Sequence, residues 1–217
     1  MKKPAELHSP DRILTAAEKL FGEFGYRSVS LRQVTDEAGV NLAAVNYHFG
    51  SKEELYRQIL RRRLAPLNRE RLELLTQAQQ LAGDQPVPLP AILDTFIRPL
   101  MRRAADAAPG GSAFLRLISR DLVDPQPFMK VELLREFEPL VARYSSALHQ
   151  ALPGLPSIEL FWRLQFTIGA LLYLAARHHD LGQAARGLHP DENVDSCIRH
   201  LVQFCAAGLG GPMAAPS

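Results

Sequence analysis

An all-α chain is what this sequence predicts, and three observations predict it. Apolar residues recur at three- and four-residue spacing through nearly every segment, the period of one face of a helix. The segments are punctuated as helices are, with serine, asparagine or aspartate in front and glycine or proline behind. No stretch requires a strand and no internal repeat is visible, and 217 residues suffice to bury the core of one large or two small domains.

Residues 1–8 read as a disordered arm. Ser9-Pro10 then opens the first helix, with proline at the first helical position, where its missing N–H costs nothing. Ile13, Ala16, Ala17, Leu20, Phe21 and Phe24 form its apolar stripe, and Gly25 ends it. Ser30 and Gln33 have the spacing of a capping box for a second helix, which turns Leu31, Val34 and Ala38 inward. Gly39-Val40 is a tight turn in which glycine permits the reversal and valine plugs the corner. Asn41 caps a short third helix, Leu42 to Phe49, whose Leu42, Val45 and Phe49 are expected to face the core. That leaves Ala43, Ala44, Asn46, Tyr47 and His48 toward solvent or a partner.

Gly50-Ser51 breaks the chain again, and Ser51 with Glu54 suggests another capping box. A long helix follows from Lys52 to about Leu81, with Pro66 expected to kink it or end its first part. Residues 83–90 are a proline-rich linker. Beyond it come helices from Ala91 to Ala107, from Ser112 to Leu122, and from Phe128 to Leu152 with an interruption at Pro139. The helix from Ile158 to about His179 is the most apolar of the chain, greasy nearly all round, which implies burial on more than one side. Asp191 is expected to cap the last helix, where Val194, Ile198, Leu201, Val202 and Cys205 repeat at helical spacing.

Composition excludes more than it selects. No apolar run approaches the roughly 18 uncharged residues of a membrane span, and the two leading lysines have no apolar stretch behind them, so neither a membrane partner nor a secretion signal is expected. Cys197 and Cys205 stand eight apart on one helix, about 12 Å of rise, too far for a disulfide within it. Buried thiols in a reducing cytoplasm fit. Residues 1–80 hold 13 Lys+Arg against 10 Asp+Glu, and the remainder 12 against 13, an asymmetry that solvated helix faces would also give.

The stretch Val29 to Leu55 has the pattern of a helix-turn-helix. The second helix of such a motif lies in the major groove, about 12 Å wide, while the first crosses the backbone. Such a helix must be short and free of bulky aliphatics on its outer face, and Ala43, Ala44 and Asn46 satisfy both demands. Asparagine pairs bidentately with adenine, and an alanine methyl touches the thymine methyl. Ser30, Tyr47, His48 and Lys52 supply hydroxyl, imidazole and cation for phosphates, with Ser51-Lys52 at a helix N-terminus that favours an anion.

From Ile13 to Phe24, through Gly25-Tyr26 and VSLRQVTDEAGVNLAAVNYHFGSKEEL, the sequence resembles the N-terminal domain of the tetracycline-repressor (TetR) family. The likeness covers about residues 10–56 and includes the A-G-V turn, the Y-x-F core and the K-E-x-L helix start. It implies a DNA-binding domain over residues 1–56 and a helical ligand-binding and dimerisation domain over 57–217. It also implies DNA contacts at Ser30, Arg32, Asn41, Ala43, Ala44, Asn46, Tyr47, His48 and Lys52, with Tyr47 and Lys52 on phosphate. Asn46 departs from the family, which more often has an apolar residue there, so it either reads a base or merely solvates the helix.

The same resemblance implies a homodimer whose last two long helices pair with their copies as a four-helix bundle. Gly169-Ala170 and Ala175-Ala176 on the most apolar helix would allow the close approach. The expected function is a ligand-responsive repressor bound to a palindromic operator in double-stranded DNA. Its apolar effector would line up with Phe96, Met101, Phe114, Leu117, Phe128, Phe161, Phe166 and Tyr173, which serve equally as plain core. Arg163, Gln165 and Thr167 are the polar groups on the greasy helix, and Arg163 joins the ligand-site candidates. The NLAAVNYHFGSK run looks like the fatty-acid- or acyl-CoA-responsive subgroup. An effector-free regulator governed by protein partners is the alternative. No cofactor is expected, and neither is enzyme activity or a metal, since His178-His179 lack the i, i+4 geometry of a helical metal pair and no nucleophile elbow or phosphate loop accompanies them.

Overall fold

The computed structural model describes residues 9–106, 111–123, 127–185 and 193–213. Among them it forms nine helices and no strand: α1 (Ser9–Phe24), α2 (Leu31–Ala38), α3 (Leu42–Phe49), α4 (Lys52–Ala82), α5 (Leu89–Ala105), α6 (Gly111–Val123), α7 (Pro127–Ala151), α8 (Ser157–Ala185) and α9 (Val194–Gly210). They build two compact units. The first comprises Met1–Ala65 with Ala108–Leu134, the second Pro66–Ala107 with Arg135–Ser217. Compactness thus cuts the chain differently from the expected boundary at residue 56, because α6 and the start of α7 pack with the first helices. The expected arm, residues 1–8, lies outside the described residues.

In the first unit α1 buries Ile13, Ala16, Ala17 and Phe21, as its stripe predicts, and also Glu18 and Gly22. Gly22 is there for contact. A Cβ built on it would stand 2.5 Å from the carbonyl oxygen of Ala113, so the backbones of α1 and α6 touch. Two apolar positions depart from expectation: Phe24 and Leu42 are 51% and 48% exposed. Phe24 is the last residue of α1 and Leu42 the first of α3, and there the stripe runs past the edge of the core.

The second unit is organised around α5, which packs against α8 and α9. Ile92, Leu93, Ile97, Leu100 and Met101 of α5 are buried, as are Ile198, Leu201, Val202, Cys205 and Leu209 of α9. Arg98 ties the two helices through Asp195 at 2.9 Å while holding Asp94 on its own helix. The cap of α9 is Asn193, whose side chain accepts from Ser196 N–H at 3.0 Å, rather than Asp191, which lies outside the described residues.

Neither Pro66 nor Pro139 ends a helix: α4 and α7 run through them, so the expected interruption at Pro139 is absent. A proline within a helix leaves the carbonyl four residues before it without its helical donor, and α4 places side-chain donors on the carbonyl next along in two such turns. Asn68 Nδ2 donates to Glu136 O at 3.0 Å, three residues before Pro139. One turn along α4, Arg71 Nε donates to Phe96 O at 2.9 Å, three residues before Pro99.

The 21-residue segment Ser157–Arg177 of α8 has the length and composition to cross a membrane. A search for unbroken apolar runs misses it because Glu159, Arg163 and Arg177 interrupt it. Within this chain Ile158, Phe161, Trp162, Phe166 and Tyr173 of α8 are half-exposed or more, and so is Phe204 of α9.

Candidate nucleic-acid interface

The geometry of the α2–α3 corner is set by caps at each end. Ser30 and Gln33 close the predicted capping box: Ser30 N–H donates to Gln33 Oε1 at 2.8 Å, and Gln33 N–H to Ser30 Oγ at 3.2 Å. Gly39 ends α2 at φ 62°, in the left-handed region that glycine reaches without strain. Asn41 Oδ1 then accepts Ala44 N–H at 2.9 Å and starts α3. Val34, Ala38, Val45 and Phe49 are buried and hold the crossing.

An unforeseen residue completes the corner. Arg12 of α1 donates through Nη2 to Ala38 O at 2.6 Å and Gly39 O at 3.0 Å, supplying donors to the orphan carbonyls that end α2 and a cation to the negative end of its dipole. Lys19 adds an ion pair from α1 to Glu37 at 2.6 Å. On the other side of α1, buried Glu18 receives Arg63 of α4 in a two-pronged pair at 2.7 and 2.9 Å. Burial raises the Glu18 pKa even so, against the lowering by Arg63. Nothing local in the sequence marks these partners, because they stand 18 to 45 residues apart.

With that frame fixed, α3 presents one face. Asn41, Ala43, Asn46, Tyr47 and His48 are exposed and Ala44 is half-buried; Tyr47, at 86%, is nearly free. Its ring sits edge-on to His48 with centroids 5.0 Å apart. Arg32 on α2 is exposed too. The face therefore carries two methyls, two amides, a phenol and an imidazole on an eight-residue helix, with no bulky aliphatic except Leu42 at its start. Ser30 and Asn41 each commit an oxygen to a cap, so Asn41 retains its N–H donors for a partner.

Lys52 stands apart from this face. Its Nζ lies 4.3 Å from the centroid of Tyr26 and 5.9 Å from that of Phe21, and burial holds its pKa below the ordinary lysine value. Those rings belong to an aromatic group: Tyr26 meets Tyr56 and Phe128 with centroids 5.1 Å away, and Arg57 lies 5.3 Å over Phe128. At the start of α4 the anion-attracting end is already matched by Glu53 and Glu54, and Ser51 Oγ accepts Glu54 N–H at 3.1 Å.

The expected effector residues are shared between the two units. Phe114, Leu117 and Phe128 fall in the first unit, while Phe96, Met101, Phe161, Arg163, Phe166 and Tyr173 fall in the second. Phe161, Phe166 and Tyr173 point outward, 49%, 69% and 55% exposed, on the side of α8 away from α5 and α9. Arg163 is fully employed as a cap: Nε meets Glu159 at 3.3 Å, Nη1 donates to Leu209 O and Gly211 O at 2.8 and 2.7 Å, and Nη2 to Pro212 O at 3.0 Å. Thr167 is buried and donates to Arg163 O, and Gln165 is exposed. The side chains of His178, His179 and His189 lie outside the described residues.

A short exposed helix on a capped three-helix head, followed by a larger helical unit, defines a helix-turn-helix transcription regulator. The chain belongs to the tetR family of bacterial regulatory proteins: residues 13–59 match the family's DNA-binding domain, and residues 94–208, more than half the chain, match the tetracyclin repressor-like C-terminal domain. It is 44% identical over 45 residues to the HTH-type transcriptional dual regulator CecR of Shigella flexneri, covering 21% of this chain and 20% of that protein. It is 46% identical over 59 residues to the HTH-type transcriptional regulator RutR of Escherichia coli K12, covering 25% of this chain and 28% of that protein. The chain thus matches between a fifth and three tenths of the length of these relatives. In fold it resembles the fatty acid degradation regulator FadR from Bacillus halodurans, with TM-score 0.65 and 13% identity over 96% of this chain and 98% of that one.

Proposed function

We propose that this regulator is a repressor that binds a palindromic operator as a homodimer, in the cytoplasm, and leaves it when a small apolar effector binds the second unit. The observation that carries the reading is the pairing of two unsatisfied surfaces: the exposed polar face of α3, and the aromatic face of α8 and α9 with Phe161, Trp162, Phe166, Tyr173 and Phe204 half-exposed or more. Monomers rarely leave so many large apolar side chains in water. A second copy covers them, and two-fold symmetry then supplies two reading heads for half-sites about 34 Å apart.

On DNA, Asn41, Ala43, Ala44 and Asn46 meet base edges, Arg32 lies beside them, and Ser30, Tyr47 and His48 meet phosphates. Lys52 joins the phosphate contacts by leaving the face of Tyr26. A fatty acid or acyl-CoA is the favoured effector, supported by the sequence of the α3 region and by the fold shared with a fatty acid degradation regulator.

Mobility-shift titration against palindromic fragments, with sedimentation of the free protein, tests this. Tyr47→Phe removes one hydrogen bond to a charged phosphate and should weaken binding to every fragment by about tenfold. Lys52→Ala should flatten the salt dependence by about one unit. Unchanged affinity in both variants refutes the assigned face, and a monomer at micromolar concentration refutes the dimer.

A further inference from the structure

The second unit holds a polar cluster within its apolar interior. Asn68 and Arg71 of α4, Thr95 of α5 and Tyr144 of α7 are all buried, Arg71 to 3% exposure. Fully buried Leu67 and Leu75 lie one turn to either side of Arg71 on the same face of α4. The guanidinium carbon stands 3.9 Å from the centroid of the Phe96 ring. Of its five N–H donors, Nε reaches Phe96 O at 2.9 Å and Nη1 reaches Asn68 Oδ1 at 3.4 Å; Nη2 has no acceptor among the described residues, where every fully buried side-chain nitrogen and oxygen has a partner, so it stands at the edge of the burial rather than as an orphan within it.

Among the described residues Arg71 also forms no ion pair. Its neighbour Glu70 is engaged by Arg103 at 2.6 Å. Nor do the hydroxyls fill the gap. Thr95 Oγ1 is 2.7 Å from Ile92 O, Tyr144 Oη is 3.1 Å from Arg71 O, and the two hydroxyls are 2.9 Å apart. Two hydroxyl hydrogens therefore already serve three contacts. A cation removed from water with no ion pair is held against a heavy desolvation penalty, which the more distant charge of Glu70 offsets only in part, and that burial pulls the arginine down to a pKa of about 10. One Nε bond to a helix carbonyl accounts for the side chain's place but not for its charge or its spare donors.

We propose that Arg71 anchors an acidic group of the effector, a carboxylate or phosphate carried on an apolar body, received by the Nη donors beside the Phe96 ring. The inference rests on the ligand-responsive reading above and assigns the side chain that holds the effector's acidic end.

The test is calorimetric titration of the full-length protein with four ten-carbon probes below their micelle concentrations: decanoate, decyl phosphate, decan-1-ol and decyltrimethylammonium. One of the two anions should bind at least about tenfold tighter than the alcohol, and the cation no better than the alcohol; which anion does so separates carboxylate from phosphate. Arg71→Gln should bring that anion down to the level of the alcohol, a loss of about ten- to a hundredfold, and Arg71→Lys should restore part of it. Should Arg71→Gln fail to fold, the four probes on the native chain still decide. Equal binding of alcohol and anions overturns the anchor and leaves an apolar effector standing, while binding by none of the four overturns both. A variant that loses thermal stability but keeps the native preference for the anion also overturns the proposal, because the arginine is then purely structural.

Discussion

Adding one methyl group at Gly22 should separate α1 from α6. The new Cβ would stand 2.5 Å from Ala113 O, inside the 3.0 Å limit that real Cβ atoms essentially never cross, and a tight 3.1 Å from its carbonyl carbon and Cα. All three obstacles are backbone, so no side chain can rotate away, and α6 must retreat by about half an ångström to restore contact. Overpacking of this kind costs about 1–3 kcal/mol, and a backbone obstacle places Gly22→Ala near the upper end. Alanine regains about 1 kcal/mol of helix propensity, which leaves a net loss of about 2 kcal/mol. For a chain of this size that is a fall in Tm of roughly 4–8 °C. Urea unfolding followed by far-UV circular dichroism measures it, with Gly208→Ala as control, since nothing lies within 4 Å of a Cβ there. The control should be neutral or up to about 1 kcal/mol more stable. If Gly22→Ala behaves like Gly208→Ala, the backbone contact between α1 and α6 is not what this geometry says it is.

Arg12→Ala should lower operator affinity several-fold by loosening the turn that presents α3, with Arg12→Lys recovering part of it; unchanged binding in a shift assay would show that the corner holds without its outside donor. Arg163→Ala strips donors from four carbonyls at the end of α9 and should cost about 2 kcal/mol, read as faster amide exchange over residues 208–211. Tyr144 has a folded pKa pushed up to about 12 by burial, against 10.0 ordinarily, so its contribution is fully present below pH 10 and is lost as pH rises through 12. Its ionisation should therefore take roughly 2–3 kcal/mol from stability across that window, while Arg71, whose folded pKa of about 10 lies below its ordinary value, acts in the opposite sense over the same range. Tyr144→Phe should lack that part of the decline, as parallel urea titrations would reveal.

What sequence reveals of this fold is what neighbours in sequence decide. The Ser30–Gln33 box, the left-handed Gly39, the Asn41 cap and the buried Val45 and Phe49 all form within a few residues of one another, and all were legible. Periodicity gave the face of each helix but not how far the core extends, which is why Phe24 and Leu42 were placed inside. Pro139 reads as a break because a proline inside a helix is costly by itself, and the packing that holds this turn, Asn68 on Glu136 O included, comes from 68 residues away. Arg163 looks like a ligand group on a greasy helix because the carbonyls it caps begin 45 residues later. Phe161, Phe166 and Tyr173 share a lesson of a different kind: an aromatic side chain on an all-round apolar helix has the same pattern whether it faces a cavity or lies at the surface. Arg12 was unreadable in identity, although every helix end calls for some donor.

Trp162 is the only tryptophan in the chain, and it lies 53% exposed on α8 with the Phe161 ring 5.3 Å away. The protein therefore carries an unlabelled optical gauge on the face in question. Excited selectively at the red edge, the indole emits at long wavelength when wet and shifts blue when another surface dries it. A dilution series read in a fluorimeter would follow that drying as a function of concentration, separating the state of this surface from anything that happens at α3.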